Sequence, residues 1–333
     1  MRLISERLRG VIRSRALPRV AARVEAVRMA EEVAAAGGED VLGIVFFGSR
    51  KTRAQPDAWS AFDLFVLTRD YLGFYRALRR SGRLRRSPRL VAALNRLLPP
   101  NQVSLWSGTG AAALRAKCAV IALSRFLREA SPARHDHFCL GRLFQPAEIL
   151  YARDADTRER LLDALVQAHL LTYTWARPWL PERFDAEGYA RGLLALSLSR
   201  EIRPEPRGRA EALFEAQRDY LVEVYAVLLE ELAAAGELRQ NADATFSLAR
   251  PSTAAERLRL EGYFGWSLVR ATARWAKYMV TFEGWLDYIV RKARRHTREE
   301  IVLTPWERRL PVVFLWPRVL RYFRDKERPG GDP

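Results

Sequence analysis

Two short apolar runs, VLGIVFF (41–47) and FDLFVL (62–67), constrain this chain more than any other feature. Both are rich in β-branched and aromatic residues, short for helices and bounded by polar turns, so they predict strands buried on both faces of a sheet. The first runs into Gly48-Ser49, and the second carries a single acid, Asp63, near its start. NQVSLWSG (101–108), LRAKCAVIAL (114–123) and AEILYA (147–152) have the same strand character. Between them, DYLGFYRALRRSGR (70–83) and SPRLVAALNRLL (87–98) keep helical spacing.

Elsewhere the periodicity is helical. Residues 1 to about 37 carry an apolar face that stops at AGGED, and DTRERLLDALVQAHLLTYTWARPWL, DAEGYARGLLALSLSREI and GRAEALFEAQRDYLVEVYAVLLEELAAAG repeat the pattern from about 155 onward. This order predicts an α+β chain in four parts. An N-terminal helix (1–40) packs on the core, a mixed sheet with helices follows (41–152), then a mainly helical domain (153–255) and an amphipathic C-terminal segment (256–333). LRQNADATFSLARPSTAAERL (238–258) reads as a linker or loosely ordered turn. With 333 residues, 49% hydrophobic and 29% charged, the chain is long enough for two domains with an ordinary globular composition.

The net charge of +17 calls for an anionic partner: a polynucleotide, an acidic bilayer or a polyphosphate. No helix-turn-helix, RNP-like or zinc-finger pattern is present, so nucleic acid is not the expected one. Cys118 and Cys139 have no ligand or disulfide spacing and read as core thiols. The start MRLISERLRGVIRSRALPRV lacks the apolar middle of a secretory signal, and Glu6 and Glu25 interrupt the acid-poor pattern of a transit peptide; a basic amphipathic helix is expected. His135 and His137 read as a polar loop, since no cysteine or carboxylate pair accompanies them at ligand spacing. The arginine run RALRRSGRLRRSPR (76–89) reads as a solvated helix face, the alternative being a basic lip that gathers anionic lipid or nucleotide.

Five of the nine tryptophans, Trp266, Trp275, Trp285, Trp306 and Trp316, fall after residue 265 among arginines and lysines, in apolar runs too short to span a bilayer. That mixture suits a helix lying in the headgroup layer, with Trp306, Phe314, Trp316 and Tyr322 as expected membrane contacts. The alternative is an amphipathic helix packed on its own domain. Basic flanking residues add about 1 kcal/mol each near an anionic leaflet, which favours membrane contact.

The two leading runs suggest phosphate chemistry. A glycine lets the backbone approach a phosphate closely, and the following serine supplies a hydroxyl and a backbone N–H, so Gly48 and Ser49 are candidates to cradle a triphosphate. Asp63 on the neighbouring strand is placed to hold a Mg²⁺ bridging the same phosphates. A Gly-Ser turn and a lone strand-end Asp also occur for structural reasons alone, and folds with this chemistry usually carry a second acid where this chain has Phe65.

Residues 117–146 decide the expectation. KCAVIALSRFLREASPARHDHFCLGRLFQP resembles the stretch in Tam-type mitochondrial phosphatidate cytidylyltransferases that runs Lys-Tyr-Gly-Val-Ile and then Ala-Gly-Arg-Leu-x-Lys-Pro. That family also has Gly-Ser-Gly-Val where this chain has GSRK, a Leu-Asp-Phe strand with one acid where this chain has FDLF, and Leu-Ser-Tyr-Ser where this chain has LSLSREIRPE (196–205). A single acid is therefore the family's own pattern. The resemblance covers 41 to about 205. It implies a nucleotidyltransferase-fold mixed sheet, a winged-helix-like helical domain and a membrane-meeting C-terminus.

The activity it implies is synthesis of CDP-diacylglycerol and pyrophosphate from CTP and phosphatidate, with Mg²⁺ as cofactor, at an anionic membrane surface. Matched by motif, Gly48 and Ser49 contact the triphosphate, Asp63 binds the metal, Lys117 and Arg142 pair with phosphate charge, and Arg203 is a further candidate. The chain departs from the pattern at Arg50-Lys51, which could add phosphate charge, at Cys118-Ala119, and at Gln145 where the family has lysine. The expected location is peripheral, on the cytoplasmic face of a bacterial inner membrane, or the inner mitochondrial membrane in a eukaryote. Two alternatives stay open: a degenerate nucleotidyltransferase fold that only binds nucleotide or nucleic acid, and transfer to a different acceptor.

Overall fold

The structure, a computed structural model, describes residues 6–17, 24–48, 50, 61–108, 114–201, 208–282, 290 and 303–309. The five apolar runs form strands β1 (Val41–Phe47), β2 (Phe62–Thr68), β3 (Asn101–Ser107), β4 (Leu114–Ala122) and β5 (Glu148–Ala152). They make one mixed sheet in the order β3-β4-β2-β1-β5. β1 is antiparallel to both β2 and β5, β2 is parallel to β4, and β3 forms an edge antiparallel to β4. A parallel pair needs a long crossover; here it contains helices α3 (Tyr71–Arg80) and α4 (Pro88–Leu97) and strand β3.

Both faces of the sheet are covered. Ile44, Phe46, Leu64, Val66, Cys118 and Val120 point into one core, shared with helices α2 (Val24–Gly37), α3 and α4. Val45, Phe65, Leu67, Ala119 and Ile121 point into the other, where α1 (Glu6–Ala16), α5 (Leu123–Glu129), α6 (Leu140–Leu143) and α7 (Ala155–Ala176) pack. Two-sided burial is why the strands read as unbroken apolar runs. This second core continues without a break into the helical part, through Trp175 of α7, Leu193 of α8 (Ala186–Ser199), Phe214 of α9 (Arg209–Glu215) and Leu228 of α10 (Arg218–Ala234).

The N-terminal 40 residues differ from the single helix read from periodicity. The sequence places Pro18 after α1, and proline disfavours helix in the residue before it. The two helices serve opposite faces: Leu8 and Ile12 of α1 enter the second core, Met29 and Val33 of α2 the first. Salt bridges from Arg9 to Glu159 and Asp163, and from Arg15 to Glu223, fasten α1 across α7 and α10.

Residues 238–258 are not a linker. Leu238–Gln240 (β6) and Phe246–Leu248 (β7) pair as a short antiparallel hairpin, Phe246 also bridges to Phe184, and Leu238 and Phe246 are buried. Three-residue strands are too short to show a period of two beside a polar turn. A Thr253/Glu256 capping box then starts α11 (Ala254–Thr281), whose 28 residues span about 42 Å.

Although it lies in the stretch expected at a membrane, α11 turns part of its basic face inward. Arg270 and Arg274 pair with Asp136, Arg274 Nε donates to the Pro99 carbonyl, and Lys277 Nζ donates to the carbonyls of Leu98 and Pro100. Arg274 and Lys277 are only 2% and 8% exposed. A further helix, α12 (Pro305–Arg309), carries Trp306, which is exposed; Phe314, Trp316 and Tyr322 lie outside the described residues. Among the described residues, no helix is long and apolar enough to cross a membrane.

Candidate functional site

The candidate residues meet through strand register. Phe47 of β1 pairs with Asp63 of β2, Asp63 pairs with Lys117 of β4, and Lys117 pairs with Ser104 of β3. Side chains alternate along a strand. Asp63 therefore shares the face of Phe65 and Leu67, and Lys117 that of Ala119 and Ile121, both in the second core. A carboxylate and an ammonium thus stand on adjacent strands, about 4.8 Å apart in backbone spacing, at one end of one sheet face.

Gly48 closes this end from β1. Its φ is +87°, a left-handed conformation, and a Cβ added there would lie 2.6 Å from Asp63 Oδ2 and 3.1 Å from Asp63 Cβ. Glycine is therefore required twice, by backbone conformation and by the approach of the carboxylate. Ser49 lies outside the described residues.

Arg142 reaches the same face from α6. Its guanidinium sits 4.0 Å from the ring centre of Phe138 and donates to the Phe138 carbonyl at 2.6 Å. Phe138 packs edge-on to Phe65, which is two residues from Asp63 on the same side of β2. Arg142 also faces Glu201 at 3.7 Å, so an incoming anion would compete with that carboxylate. Arg203 lies outside the described residues.

Arg50 has a different place from the one its position after Gly-Ser suggests. It pairs with Glu25 of α2 at 2.8 Å and stacks 4.1 Å over Phe62, a residue of the opposite core. Gln145 is bound into local packing, donating to the Gly141 carbonyl and accepting from Gln217.

His137 departs from the polar-loop reading. His137 is buried between Trp175 and Phe264, with ring centres at 4.8 and 5.2 Å, and its Nε2 is 3.1 Å from Ser197 Oγ. Burial first, and then the charges of Arg134 and Arg142, lower its pKa to about 3, so the ring is neutral at physiological pH. A Cβ on Gly141 would come within 3.2 Å of both His137 Cδ2 and Ser197 Oγ. The Gly-Arg-Leu and Leu-Ser-Leu-Ser segments, far apart in sequence, are therefore packed together, which positions Arg142. His135 is held at the surface by Glu129, its Nδ1 lying 2.8 Å from Oε1.

Among the described residues no group of three or more His, Cys, Asp or Glu side chains could form a protein-only metal cage. Mg²⁺ delivered with a triphosphate keeps waters and substrate oxygens as ligands and needs only one or two protein carboxylates. Asp63 is the carboxylate in position, and the absence of a Cβ at Gly48 lets the backbone turn pass close to its Oδ2. A separate cavity of about 210 Å³ lies between Tyr173, Arg177, Glu237 and Arg259; its Arg177 is committed to Glu256, and none of the strand-end residues lines it. No known protein family matches the chain, and no curated protein matches it.

Proposed function

We propose that the chain is a nucleotidyltransferase that moves the cytidylyl group of CTP onto phosphatidate, releasing pyrophosphate and forming CDP-diacylglycerol. The observation that supports this reading best is the register that sets Gly48, Asp63 and Lys117 side by side on three adjoining strands, with Arg142 on the same face. The mixed sheet, in which the antiparallel strands that carry the glycine and the acid stand beside a parallel third, supports the same reading. The Gly48 turn receives the triphosphate. Asp63 would hold the Mg²⁺ that neutralises the phosphate oxygens when bound. Lys117 supplies a point charge, and the fork of Arg142 leaves Glu201 to take two phosphate oxygens.

The reaction is an in-line displacement. A phosphatidate oxygen forms a bond to the α-phosphorus, the bond from that phosphorus to the β-phosphate oxygen breaks, and the electron pair leaves with pyrophosphate. Phosphoryl chemistry of this kind depends mostly on positioning and charge neutralisation, which the strand-end residues can provide without a covalent intermediate.

Incubation with α-labelled CTP, Mg²⁺ and phosphatidate vesicles should place label in the lipid extract. Label that stays wholly with free CTP would overturn the reading, and label on a water-soluble acceptor would move it to another transferase class. Gly48→Ala tests the close approach. It is expected to lower lipid labelling at least about tenfold, since the new methyl must displace the Asp63 carboxylate, and to cost about 1–2 kcal/mol in stability. Arg142→Ala should raise the KM for CTP or phosphatidate more than Arg142→Lys does, because only the guanidinium binds in two-pronged fashion. Equal KM values for the two variants would remove that role.

A further inference from the structure

We infer that the arginine-rich surface built by α3, α4 and the edge strand β3 is a docking face for an anionic bilayer, beside the Asp63 end of the sheet. Residues 71–97, which hold α3 and α4, contain eight arginines and no Asp or Glu; one of the eight, Arg96, is paired with Asp70. Arg83, Arg85, Arg86 and Arg89 are all exposed. A solvated helix face of ordinary kind mixes both signs; a field of one sign points to an anionic partner.

The same surface carries apolar side chains where water would normally select against them. Leu97 is 78% exposed, Trp106 51% and Leu90 48%. Leu90 and Leu97 lie seven residues apart on α4, on one outward face, with Arg86, Arg89 and Arg96 around them. Arg83 donates to the Trp106 carbonyl, which joins the arginine turn to the edge strand. Arg115 lies 5.1 Å from the Trp106 ring and donates to Ser104 Oγ.

Register then links this surface to the candidate site. Trp106 pairs with Arg115, Ser104 with Lys117, and Lys117 with Asp63. Ser104 stands two strand spacings from Asp63, about 10 Å. A bilayer that accepted Leu90, Leu97 and Trp106 at headgroup depth, with the arginines on lipid phosphates, would lie along the β3 edge of the sheet; α3 and α4 cover one sheet face, and Trp106 at that edge shares the other face with Lys117. Exposed leucines decide between lipid and polynucleotide: phosphate backbones satisfy arginines equally well, but only the acyl boundary gives Leu90 and Leu97 a dry place.

Docking rests on the proposed function only for the substrate it would supply. The test is flotation of the full chain with phosphatidylcholine vesicles, with and without phosphatidylglycerol, in the absence of nucleotide, so a failure here is separate from a failure of CTP turnover. Wild type should bind the anionic vesicles, less so as salt is raised. The combined variant R83E/R85E/R86E/R89E should lose at least about a hundredfold in vesicle partition, and L90S/L97S about tenfold with the salt dependence retained. The substituted side chains are exposed, and R83Q/R85Q/R86Q/R89Q replaces the glutamate variant if that one melts early. Wild-type partition in the folded charge variants would overturn the docking face. So would loss of oligonucleotide binding in the same variants with vesicle binding intact.

Discussion

Asp63→Asn is expected to lose at least about a thousandfold in CTP-dependent labelling of phosphatidate while unfolding close to the wild-type temperature. Asn has the shape of Asp without its charge, so the change tests the charge. A metal-bound triphosphate needs an anionic ligand from the protein, and Phe65, the next residue on the same face of β2, is not a second carboxylate but is packed against Phe126 and Phe138. Losing that ligand removes several kcal/mol of charge stabilisation, which is three or more powers of ten in rate. Stability should change little, because Asp63 is half-buried at a strand end while the core residues of β2 run from Leu64 to Leu67. Added Mg²⁺ should restore part of the activity of Asp63→Glu but none of that of Asp63→Asn. Wild-type turnover by folded Asp63→Asn would remove Asp63 from the mechanism.

The strands were legible because each is buried on both faces, which makes a run such as VLGIVFF a local signal. Their order was not, since nothing in 62–67 or 114–122 says that β2 lies parallel to β4; the pairing of Asp63 with Lys117 appears only once the sheet is assembled. Glycine at 48 was legible as a turn residue, whereas the 2.6 Å approach to Asp63 is a tertiary fact. Glu201 escaped notice because its relation to Arg142 depends on the packing of α6 against the end of α8. His137 misled for a related reason. It looks polar in ARHDHF, and its burial comes from Trp175 and Phe264, contributed by helices far along the chain.

The basic residues of α11 show the deeper ambiguity. An amphipathic helix carrying arginine and tryptophan has the same periodicity whether its cations face lipid phosphates or a buried carboxylate. Trp266 is 54% exposed on the outer side, while Arg274, two turns further on, is buried. The deciding residue is Asp136, in a loop more than 130 positions earlier. No local pattern connects them.

Asp136→Asn is accordingly expected to destabilise the protein by about 3–5 kcal/mol and to lower the melting temperature by roughly 10 °C. Asp136 is 2% exposed and accepts from both Arg270 and Arg274, so its loss leaves a buried guanidinium without its counter-charge. Burial opposes ionisation of Asp136, but the charge of Arg274 and the hydrogen bond from Arg270 outweigh it and hold the pKa below 3.8. A carboxylate depressed in the folded state contributes stability above its unfolded pKa and loses it as the pH falls through the folded one. The gap between wild type and Asp136→Asn should therefore be full at neutral pH and close below about pH 4. Lys277 next to the cluster behaves in the opposite sense: burial, with Arg274 and Arg270, pushes its pKa down to about 6, so the folded chain binds fewer protons than the unfolded one and gains stability as pH rises above that value. The double variant Asp136→Leu/Arg274→Met should recover most of the loss, because a buried ion pair replaced as a unit by apolar side chains is often neutral in stability. Melting at the wild-type temperature by Asp136→Asn would show that α11 is fastened to the sheet by other contacts, with the carbonyls of Leu98, Pro99 and Pro100 as the remaining candidates.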